Sequence, residues 1–201
     1  MAYFGRRDGA VLELGSFSGG ITFELATGYP DLSLTIADEE PAYIDHLRQE
    51  LVQRALSGRI RILETKLTRL AFPDHSFDLV ILRGAFFYIM TRPDILKEIH
   101  RILKIDAVAF VGGGYGIGVP PEVISEIAEE SRLLNDRLGR RRVSVSELRE
   151  LLVSVRLDKQ AHIVEDGGVW IVLRKQGPFQ TAPGMMLFPF IGMGYNGLPS
   201  E

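Results

Sequence analysis

Short apolar runs alternate along this chain with segments whose apolar residues recur at helical spacing. Gly, Pro or acidic residues bound the apolar runs, which predict five strands at 10–14, 32–37, 60–63, 77–82 and 107–111. Helical spacing is found at 21–26, 43–56, 95–103, 121–138 and 146–155. Strands that alternate with helices in this way predict a doubly wound α/β fold with a mostly parallel sheet.

Two further apolar runs follow the last helix, at 161–164 and 169–173, and the turn-forming residues 165–168 separate them. This pattern predicts a C-terminal antiparallel hairpin at the sheet edge. Residues 176–201 are rich in Gly, Pro, Met and Phe and show no periodicity. We therefore predict one domain over 1–175 and an apolar tail over 176–201, which packs against its own domain or forms a homodimer contact.

Composition narrows the class of protein. The 201 residues are 46% hydrophobic, carry a formal net charge of −3 and include no cysteine. The absence of cysteine excludes disulfides, thiolate metal sites and cysteine nucleophiles. The negative net charge gives no reason to expect a nucleic-acid partner. A metal ion is not expected either, because the four histidines are scattered singly along the sequence. No apolar run approaches the roughly 18 residues of a membrane span, so we expect a cytoplasmic protein. Nucleophile-elbow and Walker-type patterns are also missing.

Ligands of an open α/β sheet bind beyond the carboxyl ends of its strands. After the first strand comes a Gly/Ser-rich loop that contains Gly15 and Gly19, and it suits either close approach to a ligand or a tight turn. Asp38 ends the second predicted strand, where an acid can accept hydrogen bonds from ribose hydroxyls. Asp38 and its acidic neighbours equally suit the cap of a helix that begins near Pro41.

A third signal is the segment 70–80, which reads LAFPDHSFDLV and leads into the fourth strand. Together with 11–19, Asp38 and the helix at 96–104, it resembles the class I S-adenosylmethionine (SAM)-dependent methyltransferases, in particular the group that includes quinone-biosynthesis enzymes. The resemblance spans 10–174 in the right order. It implies a Rossmann-like class I methyltransferase fold and SAM, that is S-adenosyl-L-methionine, as cofactor.

The resemblance also implies a set of cofactor-binding residues. The amino-acid part of SAM would meet one side chain and a stretch of loop backbone: Glu13, Gly15, Ser16, Phe17 and Gly19. The ribose and adenine would meet residues after the second and third strands: Asp38, Glu39, Lys66 and Leu67. The methionine end and the transferred methyl would face Arg83 and Gly84.

The chain departs from the family pattern at three places. Phe17 replaces the middle glycine of the first loop, and Lys66 stands where relatives often carry an aspartate that accepts from the adenine amino group. An ammonium group has donors only, so Lys66 cannot take that role. The segment 105–107 replaces the usual Pro-Gly-Gly turn before the fifth strand.

The resemblance implies methyl transfer to a small-molecule acceptor, for which alignment supplies much of the rate. Tyr88 is the candidate general base, although it equally suits a core aromatic; His75 and Tyr115 are more distant candidates. Two alternatives stay open. Phe17 and Lys66 favour a methyltransferase-like binding or regulatory protein without catalysis, whereas the first loop and Asp38 alone would also suit an NAD(P)-dependent oxidoreductase.

Overall fold

Seven strands form one sheet in the computed structural model, which describes residues 5–15, 18–115, 120–139 and 142–175. The strands are β1 (Gly9–Leu14), β2 (Leu32–Asp38), β3 (Ile60–Glu64), β4 (Phe77–Arg83), β5 (Leu103–Gly114), β6 (Ala161–Val164) and β7 (Gly168–Arg174). Their order across the sheet is β3-β2-β1-β4-β5-β7-β6. The first five strands are parallel, and β7 pairs antiparallel with both β5 and β6.

Helices connect most of the parallel strands, and several of them pack on the sheet. They are α1 (Gly20–Gly28), α2 (Pro41–Gln53), α3 (Phe86–Ile89), α4 (Asp94–Ile102), α5 (Pro121–Arg137) and α6 (Val145–Ser154). Pro41 opens α2, where a missing N–H costs no hydrogen bond. Ser144 and Glu147 form a capping box at the start of α6. The N-cap Ser144 lies two residues before Ser146, where the sequence pattern placed the start of this helix. None of the described helices could span a membrane.

The core lies on both faces of the sheet. Val11, Leu12 and Leu14 of β1 are all 0% exposed, as expected for a central strand covered by helices on each side. One apolar cluster packs β1 and β4 against α4 and α6, and the other packs them against α1 and α2. The predicted α/β fold with a parallel sheet and a C-terminal hairpin is confirmed.

Two local features differ from the sequence-based expectation. β5 begins at Leu103 rather than at 107, and its register with β4 shifts between Leu103 and Val108. Asp106 takes a left-handed φ of 63° in this bulge, a conformation that Asp adopts more easily than most residues. The sequence pattern also missed α3, because a four-residue helix is too short to show a period. The apolar tail at 176–201 lies outside the described residues.

Candidate cofactor site

The carboxyl ends of β1, β2 and β4 meet at one edge of the sheet, because these strands are parallel neighbours. Strand order reverses at β1, since β2 and β3 lie on one side of it and β4 and β5 on the other. Such a reversal leaves a crevice at the carboxyl edge of an open α/β sheet, and ligands bind there. The residues that follow these strands are therefore the candidate binding groups.

Glu13, near the end of β1, organises the loop that follows. Its side chain is 0% exposed, and Oε2 accepts hydrogen bonds from the amides of Gly19 and Thr22, each at 2.9 Å, and from Thr22 Oγ1 at 2.6 Å. The N-cap Gly19 has no side chain, so Glu13 satisfies amides of the first turn of α1 and places negative charge at its positive end. Glu13 Oε1 is buried and has no partner among the described residues.

The two loop glycines have backbone conformations that other residues rarely adopt. Gly15 has a φ of 84° and Gly19 a φ of 104°. A Cβ at Gly15 would lie 2.9 Å from Leu82 Cδ1, and one at Gly19 would lie 3.0 Å from Leu47 Cδ2. The loop therefore forms the tight turn that was one of its two predicted roles, and this turn also brings loop backbone to the carboxyl edge of the sheet.

Ser18 lies between these two glycines, directly before Gly19. Its carbonyl accepts a hydrogen bond of 2.6 Å from the Tyr43 hydroxyl, and burial raises the pKa of Tyr43, which keeps it a donor. Ser18 Oγ is buried without a partner among the described residues. The loop thus holds a second polar atom able to bind a ligand. Ser16 and Phe17, which the sequence analysis placed in the same site, lie outside the described residues.

Of the acidic residues at the end of β2, Glu40 takes the helix-cap role that the sequence left open. Asp38 is 1% exposed at the end of β2, and its Oδ1 accepts from the amide of Glu40 at 2.7 Å. Glu40 is the N-cap of α2 and accepts from Ala42 N. Glu40 therefore caps the helix, and its amide holds the Asp38 carboxylate at the carboxyl edge of the sheet.

Glu39 joins the segments that follow β2, β3 and β4. Both of its carboxylate oxygens accept from the Arg92 guanidinium, Oε2 at 2.8 Å from Nη2 and Oε1 from Nη1, and Oε2 also accepts from Leu67 N at 3.2 Å. The Arg92 hydrogen bonds lower the pKa of Glu39 despite partial burial. Lys66, beside Leu67, is exposed. Sequence analysis missed Arg92, since 53 residues separate the two partners and no local pattern marks them.

The end of β4 and the segment after it form the other side of the site. Arg83 pairs with Gly112 of β5, and Gly84 follows with a φ of 61°. Tyr88 on α3 is half-buried and packs against the core, which agrees with the alternative that it is a core aromatic residue. Tyr115 follows β5 at the same edge of the sheet.

His75 is the one candidate that the structure places elsewhere. It lies two residues before β4, so it is at the amino edge of the sheet, opposite the candidate site. Its amide donates to the carbonyl of Arg101 at 3.2 Å, and its side chain is exposed. We therefore withdraw His75 as a candidate base.

Residues 11–106 match the model of a family described as a methyltransferase domain. A structure from Methanococcus maripaludis, described as a candidate SAM-dependent methyltransferase, superposes with a TM-score of 0.74 at 25% identity and covers 86% of this chain and 80% of that one. The matched domain and the shared fold support a class I SAM-dependent methyltransferase. SAM is the cofactor of this family, and the resemblance stated from the sequence is confirmed.

Among proteins with curated names, this chain is similar to two that are named C-methyltransferases. It is 29% identical over 112 residues to a sterol 24-C-methyltransferase of Neurospora crassa, covering 56% of this chain and 28% of that one. It is 31% identical over 114 residues to a ubiquinone/menaquinone biosynthesis C-methyltransferase of Geotalea uraniireducens, covering 51% and 48%. The matched segments therefore span less than half of these relatives.

A further solved structure shares the fold of this chain. A geranyl diphosphate C-methyltransferase of Streptomyces coelicolor, solved with S-adenosyl-L-homocysteine, superposes with a TM-score of 0.58 at 15% identity, covering 85% of this chain and 74% of that one. At this level of identity the likeness concerns the fold alone.

Proposed function

We propose that this chain transfers a methyl group from SAM to a small-molecule acceptor. The observation that carries the proposal is Glu13 Oε1, a carboxylate oxygen buried at the carboxyl end of β1 without a partner among the described residues. A buried carboxylate oxygen that lacks a donor is costly, so the position suits a cationic ligand. The ammonium group in the methionine part of SAM is such a donor.

The ribose of SAM would bind at Asp38. The Glu40 amide holds the Asp38 carboxylate at the end of β2, and a carboxylate has about four acceptor positions for hydrogen bonds. Both hydroxyls of a ribose can therefore donate to it. The two acidic residues Glu13 and Asp38 end neighbouring parallel strands, so one ligand can contact both.

In this reaction the main task of the protein is to align the acceptor with the methyl group of SAM. When bound, SAM supplies a methyl group on a sulfonium, which is already activated for attack by a nucleophile. We propose that the backbone at Arg83 and Gly84 borders the methionine end and orients the acceptor, which is where much of the rate is gained. The Tyr88 hydroxyl is the candidate base for acceptors that must lose a proton.

We propose a small molecule as acceptor because the named carbon methyltransferases among its relatives act on sterols or in quinone biosynthesis. A cytoplasmic location remains our proposal, supported by the absence of cysteine from the sequence. A homodimer contact through residues 176–201 is likewise proposed from the apolar composition of that tail alone.

Titration calorimetry with SAM, S-adenosylhomocysteine and NADH tests the cofactor site. We expect micromolar affinity for the two adenosyl compounds, none for NADH, and a loss of about tenfold or more in Asp38→Ala, because hydrogen bonds to a charged group are removed. Asp45→Ala is the matched control, since Asp45 is exposed on α2 and pairs only with its neighbour Arg48 in the described contacts. The proposal would be overturned if the folded protein bound neither SAM nor S-adenosylhomocysteine at millimolar concentrations of these ligands.

Lys66 favours a second candidate, a binding protein without catalysis, since an exposed ammonium stands where relatives often carry an acceptor. Incubation of the protein with methyl-labelled SAM and a metabolite extract separates the two candidates. Label that moves into a small molecule with wild type, and not with Asp38→Ala, supports the enzyme. SAM binding with no transfer to any fraction supports the second candidate.

A further inference from the structure

The Glu39 carboxylate is a rigid acceptor at the carboxyl edge of the sheet. Two donors of Arg92 and the amide of Leu67 hold it from two other segments of the chain. Bidentate pairing with arginine fixes the plane of a carboxylate as well as its position. The side chains of Glu39 and Arg92 are 31% and 33% exposed, so the pair borders solvent and can be reached by a ligand.

Its position in the fold places Glu39 next to the base of a bound nucleoside. Glu39 directly follows Asp38, the candidate ribose ligand, and contacts the segment after β3 through Leu67. β3 lies beyond β2 at the edge of the sheet. A base attached to a ribose at Asp38 extends either toward β3 or back toward β1, and the methionine part occupies the β1 side at Glu13.

The hydrogen-bond count leaves Glu39 able to accept one more donor. A carboxylate offers about four acceptor positions, two on each oxygen. Oε2 takes up two of them with Arg92 and Leu67, whereas Oε1 accepts only from Arg92 in the contacts described. Lys66, the neighbouring side chain, has donors only and cannot serve as an acceptor.

We propose that Glu39 determines base specificity by accepting a hydrogen bond from the exocyclic amino group of adenine, and that Arg92 is the positioning residue that aims its carboxylate. The inference rests on the proposed function, because it takes the nucleoside of SAM as the ligand. It assigns to Glu39 the acceptor role that Lys66 cannot fill. The chain thereby recovers base recognition from the segment after β2 rather than from the segment after β3.

A carboxylate at this position discriminates against a 6-oxo base. Replacement of the amino group by a carbonyl removes the donor and brings two acceptors together, which is repulsive. We therefore expect wild type to bind S-adenosylhomocysteine at least about tenfold more tightly than S-inosylhomocysteine. Glu39→Gln presents either an oxygen or an amino group by rotation of its amide, so the two ligands should bind within about threefold of each other.

Calorimetry with these two ligands tests the inference on the whole chain. Glu40→Gln is the matched control, since it removes the same charge one residue away from an exposed helix cap, and it should keep the wild-type preference. Arg92→Lys keeps the charge but loses bidentate geometry, so the preference should fall without being abolished. Thermal unfolding of each variant reports stability, which a merely structural pair would change without altering the ligand ratio.

The outcomes separate this inference from the proposed function. Equal affinity of wild type for both ligands, or an unchanged preference in Glu39→Gln, would overturn the role of Glu39 and leave the SAM site standing. Failure of both ligands to bind wild type would overturn the two together. Equal affinities in wild type would overturn the role of Glu39 without any variant, whereas a wild-type preference is assigned to Glu39 by the contrast between Glu39→Gln and Glu40→Gln.

Discussion

At the scale of residues, Glu13 and Gly19 control how the chain passes from β1 into α1. Glu13 Oε2 accepts the amide hydrogens of Gly19 and Thr22, and the Gly19 φ of 104° turns the chain so that these amides face the carboxylate. A residue with a Cβ would have to hold the same φ while contacting Leu47 at 3.0 Å. The site therefore depends on glycine at this position.

Gly19→Ala should destabilise the fold by about 1–3 kcal/mol, because a left-handed backbone conformation is strained in a residue with a Cβ. Gly20→Ala is the matched control: Gly20 is the first residue of α1, and a Cβ there meets nothing within 4 Å. That control should be neutral or stabilise by up to about 1 kcal/mol. Urea unfolding of both variants makes the comparison, and equal free energies of unfolding would contradict the role given to Gly19.

The candidate site was partly predictable at this scale. Gly15, Gly19 and Asp38 follow from the rule that ligands bind after the strands of an α/β sheet. Glu13 came from the family resemblance, and the structure brings all four residues to one edge of the sheet. Arg92 could not be found, since its pairing with Glu39 depends on how two distant loops meet. Contacts between distant segments leave no period or spacing in the sequence.

At the scale of elements, α4 fixes the segment between β3 and β4 through Arg101. Its guanidinium donates to the carbonyls of Leu70 and Phe72 at 3.0 and 2.9 Å, and to the carboxylates of Glu98 and Asp74. Glu98 in turn accepts from Leu70 N at 2.8 Å. The segment that resembles the family motif is therefore held by hydrogen bonds from side chains of α4, most of them to its backbone.

Arg101→Lys should lower the free energy of unfolding by about 2 kcal/mol, because one ammonium cannot replace several donors in a planar fork. The Arg101 side chain is 30% exposed, so solvent screens only part of this effect. Arg48→Ala, which breaks an exposed pair with Asp45 on α2, should cost no more than about 1 kcal/mol. Chemical denaturation measures both, and a smaller loss in Arg101→Lys than in the control would contradict the role of α4.

Elements were predictable where length and period were sufficient. The five parallel strands are apolar runs bounded by turn residues, and both their existence and their order along the chain are confirmed. α3 has only four residues and shows no period. The early start of β5 was missed as well, because Lys104, Ile105 and Asp106 do not form an apolar run and lie in a bulge.

At the scale of the whole molecule, acidic residues have different roles at the two edges of the sheet. At the carboxyl edge, Glu13 and Asp38 border the candidate site. At the amino edge, Asp78 accepts from Arg6, Lys104 and the amide of Ala10, and so joins β1, β4 and β5. Burial alone would raise the pKa of Asp78, but these donors hold it below its ordinary value. Its contribution to stability is present at neutral pH and is lost only in acid, as pH falls through that lowered pKa.

His100 predicts a separate loss of stability in a milder range of pH. Burial lowers its pKa, with Lys175 and His75 as the charged or titratable neighbours that lower it further. The amide nitrogen of Gln160 donates to His100 Nε2 at 2.8 Å and to the carbonyl of Lys175, because an amide oxygen there would face carbonyl oxygens. The folded state therefore holds His100 neutral, with Nε2 as an acceptor.

Because the pKa of His100 is lower in the folded than in the unfolded state, the unfolded chain binds the proton first as pH falls below about 6.5. The free energy of unfolding should therefore decrease steadily between about pH 7 and pH 5, well before the carboxylates titrate. His100→Gln should show a flatter dependence, with a residual slope from His162, whose pKa burial also lowers. His46→Gln, exposed on α2, is the matched control and should keep the wild-type slope. Urea unfolding at half-unit steps of pH measures these slopes. Equal slopes in wild type and His100→Gln would show that this imidazole binds its proton as readily in the fold as out of it.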